Sequence, residues 1–147
     1  MGKYSQGEFE PKNKEKYLGN RNPIYRSGWE KKFMVMLDTS PNITQWCSEC
    51  VTINYFDKAN NKPRNYIPDF YIMNNEGKKF IIEIKPQKEI QKPSVNKPLK
   101  TQKQKLQHLN EIKTYITNVS KWEHAKKYCD MNGIEFKLLT EEGCKFF

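Results

Sequence analysis

Apolar residues recur at helical spacing through Trp29, Phe33, Met36 and Leu37, directly behind Ser27-Gly28-Trp29-Glu30, where a serine and a glutamate stand at capping-box spacing. This predicts a helix from about 27 to 38, stopped by Pro41. Ile43 to Trp46 and Val51 to Phe56 are short β-rich runs, and the turn-forming stretch from Asp57 to Pro63 separates them from two stronger strands at about 64–74 and 78–85. Pro86, Pro93 and Pro98 then forbid a regular strand or helix interior over 86–98. Leu99, Leu106, Leu109, Ile112 and Ile116 fall near one helical stripe, and a second capping box, Ser120-Lys121-Trp122-Glu123, predicts the start of a further helix that Gly133 caps. Alternation of Ile134, Phe136 and Leu138 with Glu135 and Lys137 predicts a final strand. Residues 1–22 are polar and basic without sustained periodicity, and read as a flexible arm ahead of a single domain over 23–147.

The two strong strands define a register. Asn75-Glu76-Gly77 fits a three-residue hairpin loop with glycine in the left-handed conformation, so Asn74 should pair with Lys78. Phe70 then faces Ile82, Ile72 faces Phe80 and Pro68 faces Ile84, which assembles one apolar surface. On the other surface the same register sets Asp69 opposite Glu83, with Lys85 two residues along. Opposed side chains have Cβ atoms about 4.5–5.5 Å apart, and two like charges there are destabilising unless a cation lies between them. Hard oxygen ligands on a rigid sheet suit Mg²⁺ or Mn²⁺, with phosphate completing the coordination. A slip of one residue would separate the two carboxylates.

Composition narrows the partners. The chain of 147 residues carries a formal charge of +9, which favours a polyanion such as nucleic acid. Seven lysines between Lys88 and Lys113 face only Glu89 and Glu111, so most of the excess follows the second of the two strong strands. Lys88, Lys92, Lys97, Lys100, Lys103 and Lys105 are candidates to track a phosphate backbone, with Arg26, Lys31 and Lys32 secondary; a solvated lysine-rich face is the plainer reading. Such contacts are sequence-independent, and no base-reading module is visible. No apolar run approaches the ~18 residues of a membrane span and no signal peptide opens the chain, so a soluble intracellular protein without a membrane partner is expected. Cys47 and Cys50 form one C-x-x-C pair, but 78 residues separate Cys50 from Cys129 and 14 separate Cys129 from Cys144, spacings that suit small, partly buried thiols better than structural zinc.

Pro68-Asp69, thirteen residues, then Glu83-Ile84-Lys85 in a β-rich run resembles the PD-(D/E)xK nuclease signature. The helix start from Tyr25 to Glu30, with Asn118, Lys121-Trp122 and Gly133 downstream, narrows the likeness to the TnsA-like branch, and within it to the head-completion nucleases of tailed phages. The resemblance runs from about Tyr17 to Thr140. It implies an α/β fold with a restriction-endonuclease-like core, a mixed central β-sheet flanked by α-helices. It also implies Mg²⁺-dependent hydrolysis of DNA phosphodiesters, with Mn²⁺ as a substitute. The implied site is Glu30, Asp69, Glu83 and Lys85. Asp69 and Glu83 would hold metal, the Ile84 carbonyl could join them, and Glu30 would approach from the first helix directly or through water. Lys85 would orient the attacking water and stabilise developing negative charge. Glu30 has a competing use, closing the capping box on the backbone of Ser27. Implied partners are DNA and phage head or portal proteins, in the cytoplasm of an infected host or at the virion head. Two other functions fit the resemblance: an end-cleaving subunit of a transposition system, and a DNA-binding structural head protein without catalysis.

Overall fold

The computed structural model describes residues 6–95 and 97–146. Its centre is a five-stranded mixed sheet built from β3 (Ile43–Ser48), β6 (Phe70–Asn74), β7 (Lys79–Ile84), β8 (Ile134–Thr140) and β9 (Gly143–Phe146), side by side in that order. Neighbours are antiparallel except β7 and β8, which run parallel and are joined through the long helix α3 (Gln102–Asn132). A parallel pair requires such a crossover. Helix α1 (Gly28–Thr39) covers one face of the sheet. Helix α3 and a separate hairpin, β4 (Ile53–Asp57) and β5 (Lys62–Tyr66), cover the other. A four-residue helix, α2 (Gln87–Ile90), interrupts the proline-rich segment after β7.

Strand alternation divides the core between these layers. Phe70, Ile72 and Ile82 project toward α1 and pack with Met34, Leu37 and Trp46. Tyr71 and Ile81 project the opposite way and join Ile53, Tyr55, Tyr66, Trp122, Ala125, Cys129, Phe136 and Leu138. The second sheet face, which the hairpin register left to charged groups, is therefore also covered, with the acidic residues at its edge. Trp46 and Trp122 are core residues, whereas Trp29, at the start of α1, is only half-buried.

Three expectations require correction. The 64–74 run is not one strand, because Ile67-Pro68-Asp69 divides β5 from β6; Pro68 has no N–H to give a ladder and biases the residue before it. Residues 102–132 form one helix, not two. Ser120 does not cap; its hydroxyl donates to the Ile116 carbonyl (2.9 Å) inside the helix, and the true N-cap is Thr101, in a reciprocal capping box with Gln104. Gly133 ends the helix as expected, in the left-handed conformation (φ 68°) with its N–H donated to the Cys129 carbonyl. The third concerns the amino-terminal segment. Its described part is not a free arm: β1 (Gly7–Glu8) pairs with β2 (Ile24–Tyr25), Phe9 and Tyr17 pack edge-on against Trp46, and the Asp38 carboxylate accepts from the N–H groups of Lys12 and Asn13. Lys16 donates to the carbonyls of Leu37, Asp38 and Ser40 at the end of α1, where the helix dipole favours a cation. Residues 1–5 of the expected arm lie outside the described residues.

The sulfurs of Cys47 and Cys50 approach each other across the turn that follows β3, while Cys129 is free and buried on the sheet-facing side of α3.

Candidate active site

The 70–84 hairpin adopts the register read from its loop. Phe70 pairs with Ile82 and Ile72 with Phe80, Gly77 is left-handed (φ 80°), and the Asn74 N–H donates to the Lys78 carbonyl (2.9 Å). The Asn74 side chain further fixes the loop by accepting from the N–H groups of Glu76 and Lys78. Continued by one residue, this register brings Asp69 and Glu83 together, and each carboxylate is held by the opposite strand. The Asp69 N–H donates to Glu83 Oε1 (3.2 Å), and the Ile84 N–H donates to Asp69 Oδ2 (2.8 Å). Lys85 follows on the same strand, its own N–H donated to Leu139 so that the β7–β8 ladder extends through it.

Electrostatics at this meeting point favour an added cation. Burial raises the Glu83 carboxyl well above its ordinary range, the neighbouring Asp69 raises it further, and Lys85 and Tyr66 oppose both. Asp69 is raised by burial, with Glu30 and Glu49 adding to the rise and the Ile84 N–H and Lys85 acting against it. Glu83 is only 7% exposed, so water screens the pair poorly. Two hard, converging carboxylates that repel each other suit Mg²⁺, which commonly uses one or two protein carboxylates and keeps sites for water and phosphate. Among the described residues, no three acidic, histidine or cysteine side chains form a ready-made metal cage.

Glu30 occupies an intermediate position. Its N–H is capped by the Ser27 hydroxyl (3.1 Å), and its Oε1 accepts from the Arg26 N–H (3.1 Å), one residue before the partner that a strict capping box would use. Its charge nevertheless acts on Asp69. Arg26, expected at DNA, is ion-paired with Glu49. Lys88, Lys92 and Lys103 line a cleft of about 720 Å³ between the 88–94 segment and the first half of α3, Lys97 lines a second of about 400 Å³, and Lys100 and Lys105 are exposed nearby in sequence.

Three residues at the site were missed. Glu49 is left-handed (φ 54°), and its N–H donates to the Asp69 carbonyl. It continues the Ser48–Phe70 pairing, so Asp69 is flanked by an acid on each side. Only the β3–β6 register reveals this, and a bulge between Ile43 and Gln45 hides that register from the sequence. The Tyr66 hydroxyl is buried beside Glu83 without a well-formed hydrogen bond, and desolvation with the nearby carboxylates raises its pKa strongly. Lys121, quoted above only as part of a motif, reaches the site from α3: its ammonium stands 5.6 Å from the centre of the Tyr66 ring. Burial lowers its pKa, and Glu83 opposes that.

Comparisons with known proteins identify the family. Residues 40–141 match the family described as TnsA-like endonuclease N terminal. The chain is 42% identical over 140 residues to the head completion nuclease of Enterobacteria phage T4, covering 95% of this chain and 93% of that protein. No solved structure matches significantly. Because the matched segment spans β3 through β8 and contains both Asp69 and Glu83-Ile84-Lys85, the chain belongs to the TnsA-like endonuclease family.

Proposed function

We propose that this protein is a nuclease of phage head completion that hydrolyses DNA phosphodiesters with Mg²⁺ and processes DNA ends. The nuclease reading is supported by family membership, and the role in head completion by the likeness to the T4 protein. The observation that carries the chemistry is the reciprocal holding of Asp69 and Glu83 across β6 and β7, beside Lys85. A divalent cation bound there would supply positive charge to the phosphate and lower the pKa of a water molecule.

The chain's own residues do the rest. Asp69 and Glu83 provide the oxygen ligands, and the backbone bonds that fix them remove the reorganisation a flexible loop would require. Ile84 donates its N–H to Asp69, and its carbonyl is the proposed further oxygen of the site. Glu30 and Glu49 add negative charge around Asp69, suited to water-mediated contact with the metal. Lys85, beside two carboxylates, is a cation whose role is to orient water and stabilise charge on the phosphate. The lysines of the 88–105 segment supply sequence-independent contacts to the DNA backbone. Head or portal proteins are the proposed further partners, in the host cytoplasm or at the assembling head. No helix among the described residues is long and apolar enough to cross a membrane.

The test is cleavage of linear and circular DNA by the purified protein, with Mg²⁺ or with chelator, alongside D69A and E83A. Metal-dependent cleavage abolished by either substitution is expected. DNA binding without cleavage in the unmutated protein would favour a structural head protein instead.

A further inference from the structure

Asn118, Trp122, Ala125 and Cys129 form the buried stripe by which α3 meets the sheet, and the half-buried Lys121 borders it. A lysine at such a position is costly to desolvate. Among the described residues it forms no hydrogen bond or ion pair, and its one close partner is the face of Tyr66. The helix is anchored on either side of it to the β4–β5 hairpin. Thr117 donates to the buried Asp57 carboxylate (2.9 Å), Ser120 accepts from the Lys58 N–H (3.4 Å), and His124 accepts from the Phe56 N–H (3.4 Å). These contacts fix where the side chain emerges. Packing of its aliphatic stem on Tyr66 would account for the stem alone. The ammonium lies against that ring, whose buried hydroxyl stands beside Glu83, and the charges of Glu83, Lys85, Arg64 and Asp57 all act on it.

We propose that Lys121 is a further residue of the active centre, whose ammonium contacts a non-bridging oxygen of the phosphate addressed by Asp69 and Glu83, with the Tyr66 ring holding it in place. The inference rests on the nuclease reading. Two carboxylates set against Lys85, Lys121 and a divalent cation leave a positive excess, part of which a phosphodiester would offset. Lys85 reaches the phosphate from the strand and Lys121 from the helix, so the phosphate is held between two rigid elements instead of by a loop.

The test compares the unmutated protein with K121M, K121R and D69A, and with K127M as a control at an exposed position of the same helix. Single-turnover cleavage at saturating DNA is read alongside DNA affinity in Ca²⁺ as a function of salt. K121M is expected to lose about 100-fold in the cleavage rate, the scale set by removing one preorganised donor to a developing oxyanion. The slope of log affinity against log salt should fall by about one, as for a single lost phosphate contact. K121R should recover much of both, and K127M should change neither. A merely structural lysine would move the melting temperature and leave the salt slope intact. If K121M melts early, Lys121→Gln, which keeps a polar head on a shorter stem, is judged by the same two readouts. K121M cleaving within about 3-fold of the unmutated rate, against that 100-fold expectation, would overturn the proposal while an inactive D69A upheld the nuclease reading. An unmutated protein that cannot cleave would overturn both.

Discussion

Replacing Glu83 with glutamine separates the metal site from the catalytic outcome. Glutamine keeps the oxygen that accepts the Asp69 N–H and nearly the same volume, so the β6–β7 register should persist. What disappears is one of two like charges. At a carboxylate separation of about 5 Å and an effective dielectric of about 20, their repulsion is about 3 kcal/mol. Lys85 attracts Glu83 and offsets part of that. We therefore expect E83Q to be about 1–2 kcal/mol more stable than the unmutated protein in chelator, roughly 3–8 °C in melting temperature for a chain of this size. Added Mg²⁺ should raise the melting temperature of the unmutated protein by mass action and leave E83Q nearly unchanged. The sign with pH follows from the raised Glu83 and Asp69 carboxyls: their contribution to stability is fully present below the ordinary carboxylate range and is lost as pH rises through their elevated values. The advantage of E83Q in chelator should grow over that interval. Thermal melts followed by circular dichroism, with and without metal, check each point. An E83Q protein that melts below the unmutated one in chelator, or that gains as much from Mg²⁺, would refute the reasoning.

Other expectations concern the scaffold and the DNA contacts. Asp57 is fully buried and accepts from Ala59, Asn60, Arg64 and Thr117; burial raises its carboxyl, but these bonds prevail and hold it down at about 2. Asp57→Ala should therefore cost about 2–4 kcal/mol by denaturant melts, and the contribution of Asp57 should disappear as pH falls from about 4 toward 2. Thr101→Ala should destabilise the first turn of α3 by about 1 kcal/mol, read by hydrogen exchange at the first α3 amides, whereas a break at Ser120 would instead give rapid exchange at 121–123. Changing Lys88, Lys92 and Lys103 together to alanine should lower the salt slope of DNA binding by about 2–3 while leaving the melting temperature unaltered; an unchanged slope would assign these lysines to solvent.

Local chemistry made the hairpin and its acidic pair legible. The loop Asn75-Glu76-Gly77 admits one favoured geometry, and the period of two along each strand carries that geometry to Asp69 and Glu83 without tertiary information. Gly133 was readable for the same reason. Long-range pairing was not. Glu49 reaches Asp69 through a β3–β6 ladder between segments far apart in the chain, and Tyr66 and Lys121 meet only because the β4–β5 hairpin lies along α3. Ser120 misled because a serine hydroxyl can satisfy itself on the carbonyl four residues back, so a capping-box pattern without a breaker does not end a helix. The amino-terminal segment looked unstructured because its contacts depend on isolated residues, Phe9, Tyr17 and Lys16, that show no period of their own.

The central claim is that Asp69 and Glu83 share one divalent cation. A crystal soaked in Mn²⁺ and measured at an anomalous wavelength tests it directly. The account predicts a single strong peak about 2.0–2.3 Å from an oxygen of each carboxylate, lost in E83Q. Density bound elsewhere, or carboxylates that remain held only by the opposite backbone at saturating Mn²⁺, would contradict it.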